Sequence, residues 1–298
     1  VRPWLGLLVR NRCAVTPGRL PMALAISALA PLHSAAAFVQ SRRFGVRLEQ
    51  GRADIAPVII VGHWRTGTTL LHELLALDPQ FCCPTTYECM APAHFLVSGP
   101  FLAPRLQALL PSRRPLDDMR LRVGLPQEDE FALLSLGARS PYEAFAFPHR
   151  RCDWGRWLDP REFAAADRER WEEALRSFIC AVAASRPGRV ALKGPPHTAR
   201  LGLLAQMFPG ARFIHCVRHP YEMVPSLLAA WPRLAAAAGL QSPCRRDLPD
   251  FLLDFGPQLY RRFEEDRTGL DPGRITDVRF EDLTADPAAA LGRVYRHL

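Results

Sequence analysis

Residues 57–77, PVIIVGHWRTGTTLLHELLAL, constrain this chain more than any other stretch. PVIIV is a short apolar run rich in β-branched residues, as expected of a strand buried on both faces. TLLHELLAL sets Leu70, Leu71, Leu74, Leu75 and Leu77 on one broad helical face, and Asp78-Pro79 closes it. Between them, G-x-x-x-x-G followed by two threonines is the spacing of a phosphate-binding loop. Strand, glycine loop and helix in that order point to an α/β fold. Where a nucleoside triphosphatase carries its lysine this chain has Thr68, and Arg65 stands three residues earlier.

A helix N-terminus offers unpaired N–H groups and the positive end of a dipole, so an anion is favoured there. Gly62 and Gly67 let the backbone curl round it, Thr66, Thr68 and Thr69 line the turn, and Arg65 adds a permanently charged fork. Together they make a cradle for a phosphate that bears a second anionic group.

Three further runs read as strands at the sheet: 189–193 (RVALK), 212–217 (RFIHCV) and 274–280 (RITDVRF). Each leads into a helical pattern: TARLGLLAQMF after GPPH, a helix opening at Pro220 with Glu222 in its first turn, and one beginning near Pro287. Helices are expected near 98–110, 127–137 and 167–184. The fold this predicts is a P-loop-type parallel β-sheet flanked by helices. Residues 1–56 form an N-terminal helical arm, 57–298 the α/β domain, and 84–188 a largely helical insertion. Ligands bind such sheets at the carboxyl ends of the strands.

The formal net charge of +8 favours an anionic partner. The basic residues are spread out rather than run together, which argues against a nucleic-acid-coating tail. Lys193 is the one lysine among 38 basic residues, so it reads either as chance or as a site that needs a compact ammonium. The eight cysteines form no C-x-x-C pair and no zinc spacing, and Cys82, Cys83 and Cys89 read as small buried residues. No metal is expected, and the compartment is expected to be reducing and cytoplasmic. In the arm, the apolar stretch Leu20–Val39 carries Pro21, Pro31 and His33. It reads as a broken, packed helical segment with scope for contact with a membrane surface rather than as a span. The chain begins at Val1 and ends in a helical pattern, which reads as a fragment.

VGHWRTGTTLL resembles the 5′-phosphosulfate loop of the sulfotransferases, whose donor is 3′-phosphoadenosine 5′-phosphosulfate (PAPS). In that family a strand ending in arginine, with a serine eight residues on, holds the 3′-phosphate; FIHCVRHPYEMVPS supplies Arg218 and Ser226 at that separation. LKGPPHTARLGLLAQMFPGARF and VRFEDLTADPAAALGRVYRHL are similar to segments of the bacterial and carbohydrate-type branch, and PTTYE to the place where several members carry a glutamate base. The resemblance spans roughly 57–298 and implies a PAPS-dependent sulfotransferase. Its co-substrate would be held by Arg65, Thr66, Gly67, Thr68, Thr69, Arg218 and Ser226, and its acceptor would be a lipid, carbohydrate or other alcohol shaped by 84–188.

Under that resemblance Arg65 sits on the leaving phosphate and Lys193 is the second cation. Glu88 is the favoured base and His197 the acceptor-orienting or alternative base. The carboxylates of QEDE, 127–130, could also face the cleft, although a negative first helical turn accounts for them. The adenine-stacking tryptophan of cytosolic members is replaced by Leu70, which leaves Trp64 as either an adenine stack or core packing. Members also use a late basic, glycine-containing loop on the 3′-phosphate, which is not found by residue 298. Two rivals remain: a P-loop kinase or NTPase, and a non-catalytic anion-binding protein of the same fold.

Overall fold

A computed structural model describes residues 1–51, 55–109, 122–148, 154–242 and 248–298. Cys152 and Cys244 lie outside the described residues. Five parallel strands form the sheet in the order β2-β3-β1-β4-β5: β1 Val58–Val61, β2 Phe81–Cys82, β3 Arg189–Lys193, β4 Arg212–Val217 and β5 Ile275–Arg279. All four residues of β1 are buried, as their unbroken apolar run requires. Ile59 and Val61 pack into a core on one face, with Leu133, Trp171, Phe178 and Phe213. Val58 and Ile60 pack into the other, with Leu71, Leu75, Ile214 and Val294. This alternation follows from the period of two along a strand.

The helices that close the two faces include Thr68–Leu75 after the loop, Ala165–Ser185 before β3, Leu201–Met207 and Pro287–His297, while Pro220–Ala238 after β4 packs through Met223, Leu227 and Trp231 into a separate cluster. The segment expected as one helix after GPPH opens instead as a 3-10 turn, Pro195–Arg200, before the α-helix Leu201–Met207. The two prolines there set the first turn but supply no N–H. Elements not read from the sequence include the strand β2, only two residues long, and the helix Leu248–Thr268, whose Phe255, Leu259 and Phe263 are buried against the domain.

The arm departs from expectation. Leu20–Gln50 is one continuous helix, with Pro21 in its first turn and Pro31 inside it. Proline in the first turn removes a donor that would be unpaired anyway, and Pro31 is borne within a helix supported by its inner face. Ala23, Ala30 and Gln40 are buried there, and Gln40 Oε1 accepts from the Leu96 N–H at 2.9 Å. By length and composition alone Pro17–Gln50 is long and apolar enough to cross a membrane, and only 11% of its most apolar window is buried.

Candidate active site

The loop joins β1 to its helix through three residues with positive φ: Gly62 at 139°, Arg65 at 69° and Gly67 at 92°. A Cβ on Gly62 would come 2.5 Å from the Cys216 carbonyl oxygen, and one on Gly67 would come 2.5 Å from the Phe280 ring. Both positions therefore require glycine for space as well as for backbone conformation. At Arg65 a full side chain occupies the left-handed region, at a cost of about 1–3 kcal/mol, a strain of the kind that gathers at ligand clamps. The loop is tied inward by Thr66 Oγ1, which donates to the His63 carbonyl at 2.7 Å, and by the Gly62 N–H, which donates to Thr198 Oγ1 at 2.7 Å. Gly67 caps Thr68–Leu75 without a side-chain hydrogen bond, so the first turn keeps its N–H groups for an anion.

Cations from two further strands converge on this turn. Arg218 follows β4 directly; its Nη1 donates to the Arg65 carbonyl at 3.2 Å and its guanidinium lies 4.2 Å from the centre of the Phe280 ring. Arg65 Nε donates to Ser226 Oγ at 3.0 Å. Arg218 also pairs with the exposed Glu222 at 3.2 Å. Lys193 ends β3 with only 2% of its surface exposed, and its Nζ donates to Thr69 Oγ1 at 3.3 Å and to Glu128 Oε1 at 2.5 Å. Beneath it lies His72; burial first, and the Lys193 charge second, push its imidazole down to about 3.

The carboxylate that meets Lys193 is thus Glu128, from the QEDE stretch whose sequence allows either a helix start or a place facing the cleft. Asp129 and Glu130 do occupy the first turn of the helix Asp129–Ser135, but each is fully buried and paired. His197 Nε2 donates to Asp129 Oδ2 at 2.7 Å, and Arg200 holds Glu130 at 2.6 and 3.2 Å, with Ser140 Oγ at 2.6 Å. These buried pairs pin the helix so that Glu128, at its N-cap, faces the lysine. Tyr142 donates to the other Glu128 oxygen, and Trp64 Nε1 donates to Tyr142 at 3.0 Å. Burial first, and then the Glu128 charge, push the Tyr142 phenol well above its ordinary range.

The fold does not bring Glu88 or His197 to this point as open groups. The Glu88 carboxylate accepts from the Thr85 N–H at 2.7 Å, completing a capping box, and from Arg186 at 2.5 Å, so both its oxygens are occupied. His197 is wholly buried, its Nε2 on Asp129. Trp64 is 8% exposed and packs against Tyr142, Trp231 and Phe255, as a core residue does.

A parallel sheet whose central strand opens into a glycine cradle, met by cations from both neighbouring strands, defines an anion-binding α/β protein. The chain belongs to the sulfotransferase family, whose profile, described as "Sulfotransferase family", matches residues 57–298. It is 41% identical over 295 residues to the omega-hydroxy-beta-dihydromenaquinone-9 sulfotransferase Stf3 of Mycobacterium bovis, covering 99% of this chain and 76% of that protein. The protein of the same name from Mycobacterium tuberculosis (strain CDC 1551 / Oshkosh) matches with the same identity and coverage. Among solved structures, sulfotransferase STF9 of Mycobacterium avium superposes with a TM-score of 0.72 at 22% identity, over 95% of this chain and 73% of that one. STF1 of Mycobacterium tuberculosis H37Rv gives 0.69 at 20% identity, over 99% and 82%. These two share the fold. The chain is a sulfotransferase.

Proposed function

We propose that the chain moves a sulfuryl group from PAPS to the hydroxyl of a lipid alcohol, a hydroxylated prenylquinone or a close relative of one. The observation that carries this reading is the convergence of Arg65, Lys193, Arg218 and Ser226 on one uncapped helix turn. The cradle that Cβ atoms at Gly62 and Gly67 would fill suits the 5′-phosphosulfate, with Thr66, Thr68 and Thr69 lining it. Arg218 and Ser226 suit the 3′-phosphate. The lipid acceptor rests on the Stf3 relatives and on the apolar arm.

When bound, the donor supplies an activated sulfur–oxygen bond. Lys193 stabilises charge on the leaving phosphate and the sulfuryl oxygens, together with Arg65. Glu128 takes the acceptor proton as the new oxygen–sulfur bond forms and the sulfur–phosphate oxygen bond breaks, leaving a sulfate ester and 3′-phosphoadenosine 5′-phosphate. Both Glu128 oxygens are paired too, but its side chain is 15% exposed and its Oε1 partner is Lys193, itself a cation of the donor turn, whereas Glu88 is held by Arg186 and its own helix N-cap and His197 is sealed off. Asp129 and His197 position Glu128 through the helix turn. Glu88 supports the fold of the neighbouring helix.

Incubation with sulfur-labelled PAPS and a hydroxylated prenylquinone tests the reading. The label is expected in the lipid, without added metal. Label remaining in the donor while ATP and Mg²⁺ phosphorylate the same lipid would replace it with the kinase reading.

A further inference from the structure

A cavity of about 620 Å³ lies between the two arm helices, Arg2–Arg10 and Leu20–Gln50, and the α/β domain. That size falls within the roughly 300–1,000 Å³ of small-ligand sites. Its wall includes Trp4, Leu7, Met22, Ile26, Leu29 and Leu134, and none of the described residues lining it has an Asp, Glu, Lys or Arg side chain. The polar rings in the wall are spent on each other. His33 Nδ1 lies 2.6 Å from His94 Nε2, and His94 Nδ1 lies 2.8 Å from Ser98 Oγ, which meets Tyr87. Such a wall offers an entering ligand apolar contact and little else.

The cavity is joined to the reaction site by one short helix. Asp129–Ser135 starts at Glu128, beside Lys193, and its last residues Leu134 and Ser135 line the cavity. From Glu128 to Leu134 that helix rises about 9 Å. On the arm side, Leu24 and Leu32 stand 67% and 66% exposed on the same helix that supplies Ile26 and Leu29 to the wall. An apolar face so exposed on a soluble chain marks an interaction surface. It is followed by Arg42, Arg43 and Arg47, charges that suit anionic lipid headgroups.

We infer that this cavity holds the apolar chain of the lipid acceptor, drawn from a bilayer on which the outer face of Leu20–Gln50 rests, while the hydroxyl end reaches Glu128. The inference rests on the lipid-alcohol reading above for what happens at the hydroxyl, but chain binding is measured separately. The acceptor's apolar chain is the occupant that suits a wall without charged side chains, a helix shared between cavity and Glu128, and an exposed apolar outer face beside it.

The test is photolabelling by a diazirine-bearing C20 prenyl alcohol in phosphatidylglycerol–phosphatidylcholine vesicles, with no donor present. Adducts are expected on Leu20–Gln50 and on Asp129–Ser135, and excess unlabelled prenyl alcohol should remove them. Ala30→Phe, which fills the cavity, and Ile26→Glu, at a partly exposed position that tolerates a charge, should each cut labelling severalfold. In turnover assays both should raise KM for a C20 alcohol by about tenfold, as loss of burial of one or two carbon groups would. KM for a C5 alcohol, and kcat, should stay unchanged. Adducts elsewhere, or labelling untouched in both folded variants, would overturn the inference even if sulfuryl transfer proceeds. Cavity labelling with no transfer to any alcohol would support the inference and overturn the acceptor reading instead.

Discussion

Lys193 Nζ lies 2.5 Å from Glu128 Oε1, a bond that links the end of β3 to the N-cap of a helix in the segment between β2 and β3. The only lysine of the chain is thus neutralised by a carboxylate that can exchange it for a ligand. An ammonium with 2% exposure costs a great deal unpaired, so the pair keeps the site intact between turnovers.

Glu128→Gln should lower kcat by about 10²–10⁴, the contribution of a positioned base, with little change in donor KM. Glu88→Gln should leave kcat near wild type and cost about 1.5–3 kcal/mol of stability through the charge lost opposite Arg186, since glutamine can still close the capping box. His197→Asn should lower kcat less than Glu128→Gln, because it acts through Asp129. Steady-state kinetics beside urea melts of the three variants check this ordering. A Glu88→Gln enzyme as inactive as Glu128→Gln would return the base to Glu88.

Arg65→Ala should slow turnover by about 10²–10³, as expected for loss of a charge donor at the leaving group. Arg218→Ala should mainly raise donor KM, and the defect should vanish when adenosine 5′-phosphosulfate, which lacks the 3′-phosphate, replaces PAPS. An equal defect with both donors would take Arg218 off the 3′-phosphate.

3′-Phosphoadenosine 5′-phosphate at a hundredfold excess over its Kd should add about 2.7 kcal/mol of stability, read as a rise in melting temperature. ATP should add little. Gly67→Ala should abolish the shift and destabilise the protein by about 1–3 kcal/mol, since the new Cβ strikes the Phe280 ring at a φ of 92°.

His72 gives a pH dependence with a definite sign. Its folded value, about 3, lies below the ordinary 6.5. Between these values the unfolded chain binds the proton and the folded one does not, so this contribution is full above pH 6.5 and declines as pH falls toward 3. Urea midpoints at pH 7.5 and pH 5 should therefore differ more for the wild type than for His72→Gln. Equal differences would remove His72 as the cause.

What could be read in the sequence was local. β1, its loop, β3 and β4 each announce themselves within about ten residues, because a buried strand and the helix after it are patterns of neighbours. Arg218 and Ser226 were singled out through the family resemblance, and they lie eight positions apart on a strand end and the helix that follows. Glu128 was not, because what distinguishes it from any acidic helix start is a partner 65 positions away. The signal available was three consecutive carboxylates in a chain where such groups need partners once buried. Leu248–Thr268 was hidden by Gly256-Pro257 at its middle, a pair that reads as a turn until Phe255 and Leu259 are seen packed. Pro31 misled in the same way in the arm.

The strand order carries a consequence for how the protein comes into being. Val58 pairs with Ala191 on one side and Arg212 on the other, so β1 and its loop wait for both neighbours until more than 150 further residues have been synthesised. Contacts so distant in sequence are formed late and slowly. A ribosome-bound or prematurely stopped chain would carry the glycine loop yet lack the lysine and arginine that give it a use. Competence is acquired only once β4 and Arg218 have been made, and a product abandoned before then should be inert toward the donor rather than a partial enzyme that wastes it.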